Sequence, residues 1–499
     1  MSAWRERMMM TERNIAGCVL LVALLVPPSG FVSAQPDRSG PPPPGPPPSL
    51  KLPRLQHLKL ANGMSVVLLE KHDVPLVQIN LVVKAGAVMD PPGKSGLASM
   101  TAAMLTEGAG GRNALELADA IDFLGAEISA EAGMHTTGIE LRTPLARLDS
   151  AIALLGDVAR RPMFPASELD RTRKERLTDL VQWRDDPEKL AWLVFDGTLY
   201  GPSHPYGVPS TGKEASLRSF TTGDIRKFYK AYFVPGNTTV IVVGDVTSSA
   251  LLPKLEKTFG GWRGGGKSPA GPVLPPVGQV KGKTMVLVDR PGAAQSVIMI
   301  GRVGAPRVTD DYYAIVVMNT ILGGSFASRL NQNLREKHGY TYGAESAFLF
   351  RPLPGPFVAV ASVQTAVTDK ALGEFMNELR RILVDVPDAD LERAKNYVAL
   401  TFPGRFQSVG RIARQLEDLV IYDLPDDYFS GYTGRIMSVT KGEVLRAAHK
   451  YINVDNLAFI VVGDSKEIGE GVTALDLAPP TFLSVEDVLG PAPAINGAK

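Results

Sequence analysis

SFTTGDIRKFYKAYFVPGNTTVIVVGD at residues 219–245 and SVTKGEVLRAAHKYINVDNLAFIVVGD at 438–464 align without a gap, at a constant offset of 219 residues. Ten of the 27 positions are identical. Tyr232 meets Tyr451, Asn237 meets Asn456, and a β-branched run closes on Gly244-Asp245 in one copy and on Gly463-Asp464 in the other. An ungapped match of this length is the mark of a repeated structural unit, so the chain reads as a duplicated domain. Strand-like runs such as GMSVVLLEKH (63–72) and LVQINLVVKAG (76–86) precede long helical stretches, SELDRTRKERLTDLVQW (167–183) among them. In TDKALGEFMNELRRILVDV (368–386), Leu372, Phe375, Met376, Leu379 and Leu383 recur at helical spacing. Strands and helices in blocks predict an α+β fold made of two homologous α/β-sandwich domains.

Between the copies, FGGWRGGGKSPAGPVLPPVGQVKGK (259–283) has the Gly and Pro content of an interdomain linker. The expected division is 54–260, linker 261–282, 283–475, and a tail at 476–499. Gly261, Gly266, Lys267 and Ser268 satisfy the GxxxxGK[ST] phosphate-loop pattern. That pattern needs a strand before it and a helix after it; here no strand precedes and Pro269 follows, so no nucleotide site is expected. Upstream, PDRSGPPPPGPPPSLKLP (36–53) favours an extended polyproline II spacer over 35–53. Residues 1–34 read as a secretory signal peptide: Arg5, Arg7 and Arg13 precede the apolar run Ile15 to Val26, and Val32-Ser33-Ala34 supplies the small residues of a cleavage site. Ile15-Ala16-Gly17-Cys18 mimics a lipid-attachment box, but the apolar run follows the Cys instead of preceding it. The expected destination is the periplasm, with the Pro-rich spacer a candidate membrane tether.

Of the 499 residues, 53 are Lys or Arg and 52 Asp or Glu, with 44% hydrophobic and 21% charged. Removing 1–34 takes away three Arg and two Glu, leaving 50 of each sign (53 − 3 and 52 − 2), and the one Cys, Cys18, leaves with them. A neutral chain lacks the basic footprint that phosphate-backbone binding needs, so nucleic acid is not an expected partner. Without Cys, disulfides, thiolate nucleophiles and Cys metal sites are excluded.

GAVMDPPGKSGLASMTAAMLTEG (86–108), Arg184-Asp185-Asp186-Pro187, HPYGVPSTGKEASLRSFTTGDIRKFY (204–229), the two VVGD strands and GGSFASRLNQNLREKHGYTYGAESAF (323–348) together resemble the pitrilysin/insulinase-type (inverzincin) zinc metallopeptidases. The likeness is to the small-subunit branch that includes mitochondrial processing peptidase, and it spans most of 54–470. The resemblance implies an H-x-x-E-H helix, in which two His one turn apart hold zinc and the Glu activates water. Aligned on Gly96-Leu97 and Met104-Leu105, those positions hold Ser99, Ala102 and Ala103, none of which ligates zinc or acts as a base. Glu175 and Asp179 fall near the family's third, acidic ligand position, but a carboxylate without imidazole partners reads as a solvated helix face. The six His (57, 72, 135, 204, 338 and 449) lie far apart in sequence, and Gly324-Ser325 lacks the GxSxG elbow.

The second half keeps what the first has lost. Leu334-Arg335-Glu336-Lys337-His338-Gly339-Tyr340-Thr341-Tyr342 is similar to the family segment whose Arg and Tyr, seven residues apart, point into the active-site chamber; here they are Arg335 and Tyr342. On residue types alone, Arg335 could equally pair with Glu336 or Glu345, with Tyr342 an ordinary strand residue. In this family two subunits close a chamber, one supplying zinc and the other the Arg/Tyr pair. The expectation is therefore a non-catalytic subunit, with no cofactor of its own, acting on a peptide or unfolded polypeptide beside a homologous H-x-x-E-H chain that holds the zinc. The other reading is a peptide-binding or scaffold protein of the same fold.

Overall fold

The computed structural model describes Gly45, residues 50–264 and residues 273–493. The expected signal peptide (1–34), most of the spacer, and Gly266, Lys267 and Ser268 of the phosphate-loop-like stretch lie outside the described residues. Among the described residues, twelve strands form two six-stranded sheets. The first contains β1 (Gln56–Lys59), β2 (Ser65–Glu70), β3 (Leu76–Val83), β4 (Glu127–Ala132), β5 (Thr137–Pro144) and β6 (Thr238–Gly244), in the order β1-β2-β6-β3-β5-β4. The second contains β7 (Thr284–Asp289), β8 (Gln295–Val303), β9 (Thr341–Phe348), β10 (Pro356–Gln364), β11 (Ala458–Gly463) and β12 (Pro480–Leu483), in the order β12-β7-β11-β8-β10-β9. Five helices matter most below: α1 (Leu97–Ala103), α2 (Ala166–Trp183), α3 (Pro187–Tyr200), α4 (Tyr312–Leu322) and α5 (Val409–Tyr422).

The repeated sequence is a repeated structure. In each copy a Thr caps the helix before the central strand and is reciprocated three residues on: Thr221 and Asp224 start helix Thr222–Tyr232, Thr440 and Glu443 start helix Lys441–Tyr451. The strand that follows, β6 or β11, lies parallel to β2 or β7 and antiparallel to β3 or β8. The chain is thus an α+β protein of two like domains, as the repeat predicts. The outermost strands beside β2 and β7 differ: β1 folds back antiparallel on β2, whereas β12 pairs parallel with β7. Residues 480–489, expected within a tail, are instead built into the second sheet through β12 and the short helix Val485–Leu489. Arg184 ties that segment down, donating from Nη1 to the Gly490 carbonyl (2.8 Å) and pairing with Glu486.

The central strands are apolar on both faces, so each sheet needs two covers. In β2 and β6, Val66, Leu68, Val240 and Val242 face the first half's own helices, while Val67, Leu69, Ile241 and Val243 join the core that contains α5 of the second half. In the second sheet, Val286, Val288, Val297, Met299, Ile460 and Val462 pack with Leu190, Ala191, Val194, Phe195 and Leu199 of α3, which belongs to the first half. Each half lends a helix to the other. Gly301 is required by this arrangement, since a Cβ there would meet the Phe195 ring at 2.6 Å. Val409, Ile412, Leu416 and Leu419 of α5 are buried; at about 1.5–3 kcal/mol per large apolar side chain, their burial alone is comparable to the net stability of a typical domain.

One polar contact sits inside this exchange. Asn80 of β3 donates to Oε1 of Glu417 on α5 (2.6 Å), and burial pushes the Glu417 carboxyl from its ordinary 4.5 up to about 7, with the Glu140 and Asp418 charges adding to the rise and Arg414 opposing it. A carboxyl whose pKa is raised by folding holds a proton in the native state that the unfolded chain has released. Its unfavourable contribution is absent below about pH 4.5 and grows as pH rises towards 7. Glu417→Gln keeps the acceptor for Asn80 without the charge. It should match the parent at pH 4 and be more stable by about 1–3 kcal/mol at pH 8 in urea unfolding; equal stability at both pH values would remove the buried charge from the account.

Candidate functional site

The helix that would carry the zinc motif is well formed and holds none of its groups. Its first turn is fixed by Asp90, which accepts from the Gly96 and Ala98 N–H groups at 2.7 and 2.8 Å; burial pushes this carboxyl up to about 7 against those hydrogen bonds. Gly96 has φ +89° and approaches the Gly212 backbone so closely that a Cβ would lie 2.7 Å from its Cα. Ser99 and Ala103, four residues apart on one helix face, are half-buried and Ala102 is buried. A neutral hydroxyl and two methyl groups cannot fix a zinc ion, so the residues present do not fit the metal. Glu175 is exposed on α2 and held by Arg171 at 2.6 Å, within a cluster that also places Glu168 (2.7 Å) and Glu107 (2.5 Å) on the same guanidinium. Asp179 is half-buried and in no ion pair among the described residues. Among the described residues, no three His, Cys, Asp or Glu side chains gather as a metal would require.

The second half places its candidate residues around an open groove. Helix α4 ends at Gly323-Gly324, whose amides both bond to the Asn319 carbonyl (2.9 and 2.7 Å). A Cβ on Gly323 would run into the backbone nitrogen and hydroxyl of Ser346 on β9, and one on Gly324 would meet Asn319 Nδ2 at 2.8 Å. Three groups then stitch this loop to the outer edge of β9: the Gly323 carbonyl accepts from Ser346 N–H (3.2 Å), Asn331 Oδ1 accepts from Ala344 N–H (3.0 Å), and Asn319 Nδ2 donates to the Ser346 carbonyl (2.9 Å). Opposite Tyr342 the β9–β10 pairing slips, with Ala361 facing Ala344 but Val363 facing Thr341, a local irregularity of the kind that re-aims a side chain. Tyr342 stands 91% exposed.

Arg335 sits on Asn331–Lys337, a stretch wound more widely than an α-helix, a rare form that recurs at functional positions. Its Nη1 lies 2.9 Å from Glu336 Oε1, close enough for an ion pair but off the line of a hydrogen bond. The local partner weighed from sequence is therefore Glu336, not Glu345. No hydrogen bond joins Arg335 to Tyr342 among the described residues. The Arg335 Cζ is 4.2 Å from the centroid of the Phe326 ring, and Phe326 and Tyr342, though not Arg335 itself, line the groove, a space of about 670 Å3. Glu345, weighed from sequence only as a partner for Arg335, also lines the groove, together with Glu188 of α3 and Tyr397, which sequence did not single out. Neither Glu188 nor Glu345 is in an ion pair among the described residues, and the lining holds no Lys or Arg.

A second cluster forms where the halves meet. His135, from the turn between β4 and β5, is 2.5 Å from the Tyr206 hydroxyl. His204 accepts on Nδ1 from the Tyr206 N–H (3.0 Å), and Arg351 of the second half lies 4.5 Å over the Tyr206 ring. Two histidines that are 69 positions apart thus share one tyrosine, which no spacing in the sequence signals. Burial pushes His135 down to about 4 and also lowers His204, with the Arg351 charge adding to both, so the cluster favours neutral imidazoles beside the Arg351 cation.

Residues 65–193 match the family model for insulinase (peptidase family M16), and residues 219–398 match the model described as the peptidase M16 inactive domain. The chain belongs to peptidase family M16, the insulinase family, and carries a domain of its inactive type. An uncharacterised zinc protease of Rickettsia bellii is 24% identical over 341 residues, covering 68% of this chain and 81% of the relative; one from Bacillus subtilis is 25% identical, covering 57% and 68%. The crystal structure of a peptidase M16 inactive domain from Pseudomonas fluorescens superposes with TM-score 0.76 at 28% identity, over 82% of this chain and 98% of that one. A Helicobacter pylori protease shares the fold at TM-score 0.75 and 20% identity, over 82% and 100%.

The groove's dependence on a glycine gives a direct test. Gly323→Ala must push the Ser346 backbone away from α4 and should cost about 1–3 kcal/mol by overpacking, read as a lower denaturant midpoint; Gly343→Ala, with only Asn331 Oδ1 at 3.8 Å from its Cβ, should cost less. Equal costs would mean that the close approach at Gly323 is absent.

Proposed function

We propose that this chain is the non-catalytic subunit of an exported heterodimeric zinc metallopeptidase. The observation that carries the reading is the division of its two halves. The helix at the zinc position presents Ser99, Ala102 and Ala103, while the other half turns an exposed Tyr342 into an open groove and sets Arg335, a guanidinium with no hydrogen bond among the described residues, behind the groove-lining Phe326 ring. The partner is a homologous chain bearing H-x-x-E-H, and zinc belongs to that chain. Export rests on the arrangement of charge, apolar run and small residues at 1–34.

The two residues act by donating hydrogen bonds. The planar Arg335 fork offers N–H groups to a peptide carbonyl and so orients the extended chain. The Tyr342 phenol offers its O–H to the carbonyl oxygen as that oxygen gains negative charge, an interaction worth more in the transition state than in the ground state. Glu336 beside Arg335 also suits a purely structural ion pair, which is what a peptide-binding scaffold would display.

A single experiment separates these readings. The purified chain is combined with the H-x-x-E-H homologue encoded in the same genome, and cleavage of a quenched fluorescent peptide is followed. Tyr342→Phe should lower kcat by about 10²-fold, as expected for loss of one oxyanion donor, and Arg335→Ala should act mainly by raising KM. Unchanged cleavage in both variants, or no stimulation of the homologue by the parent chain, would leave the scaffold reading standing.

A further inference from the structure

Phe326 has no packing reason to be where it is. Five aromatic residues among those described are exposed (Phe123, Phe326, Tyr342, Tyr397 and Phe482), and three of the five line the groove. Phe326 is 68% exposed, so it contributes little to the core, yet the loop that presents it is held firmly. Before it, Ser325 Oγ donates to the Thr320 carbonyl (3.2 Å); beyond it, Ser328 N–H and Asn331 Nδ2 both donate to the Ser325 carbonyl (3.0 and 3.3 Å). The Arg335 guanidinium lies over this ring at 4.2 Å.

The chemistry of that contact is selective. An aromatic face attracts a cation without accepting any of its conventional hydrogen bonds. A carboxylate in the same place would consume two N–H groups of the fork. Here the carboxylate at hand, Glu336, is at 2.9 Å but out of line, so it neutralises charge without taking a donor. We infer that Phe326 is a positioning residue for Arg335: this groove-lining ring holds the guanidinium beside the groove by its face and leaves the N–H groups other than the buried Nη1 for a carbonyl or carboxylate of the bound peptide. The inference rests on the split-site reading, because Phe326 acts only through Arg335.

The test has two arms. In the reconstituted complex described above, Phe326→Ala lowers kcat/KM for the fluorescent peptide about tenfold, the size of a partly exposed cation–π contact. Phe326→Trp keeps a face for the cation and restores activity to within about threefold. Phe326→Ala combined with Arg335→Ala is no worse than Arg335→Ala alone, because both act on one interaction. In the isolated chain, phenylglyoxal labelling of Arg335, counted by peptide mass spectrometry, speeds up in Phe326→Ala and not in Phe326→Trp. Faster labelling together with a non-additive activity loss supports the role. Unchanged labelling overturns the contact itself. Faster labelling with intact activity in Phe326→Ala but impaired activity in Arg335→Ala overturns the positioning role alone, as do multiplicative losses in the double variant. Faster labelling with no effect of Arg335→Ala refutes the split-site reading, and the positioning role falls with it.

Discussion

Everything in this molecule depends on two sheets that are apolar on both sides. Val67, Leu69, Ile241 and Val243 on one sheet, and Val288, Met299, Ile460 and Val462 on the other, cannot face water, and neither half has enough helix on the right side to cover them alone. The helices α3 and α5 cross over to do it. Because each crossing helix buries several large side chains, the free energy of the exchange is of the same order as the whole stability of a domain, so the two halves are strongly coupled. That shared packing is what allows a groove to be built from parts of both: Glu188 comes from the crossing helix α3, while Phe326, Tyr342 and Tyr397 come from the second half.

The two halves started from one plan and were filled differently. Capped helix, central strand and parallel neighbour recur in both, but the helix packed against the outer strand is α1 in one half and the widened turn Asn331–Lys337 in the other. Small side chains in α1 leave a surface with no chemistry of its own. In the second half the equivalent edge is crowded with groups that donate, stack or carry charge. The site therefore lies on one side of a symmetric frame.

The fold was largely legible in the sequence, and for a stated reason: strand periodicity and an ungapped repeat are local signals, and both survived into the sheets unchanged. The exchange was not legible. Leu190, Val194 and Phe195 have helical spacing whichever sheet they cover, so the pattern says that α3 has an apolar face and nothing about where that face goes. The segment at 480–489 was missed because a four-residue strand followed by a single helical turn, set among prolines, carries too little periodicity to stand out. Near the groove, Arg335 and Tyr342 were singled out through a motif, but Phe326 and Tyr397 were not, since an aromatic residue in a sequence reads as core and its exposure is settled only by the tertiary structure. The meeting of His135 with His204 on Tyr206 belongs to the same class.

Time gives the crossing of α5 a further meaning. The first sheet is complete once β6 has been made, at Gly244, but its second face stays bare until residues 409–422 exist. For about 170 residues of synthesis the chain carries a finished sheet with one apolar side uncovered, a state that attracts other chains as readily as its own. The cover of the first sheet thus waits on chain length, because the residues that supply it lie far downstream of the strand that completes that sheet.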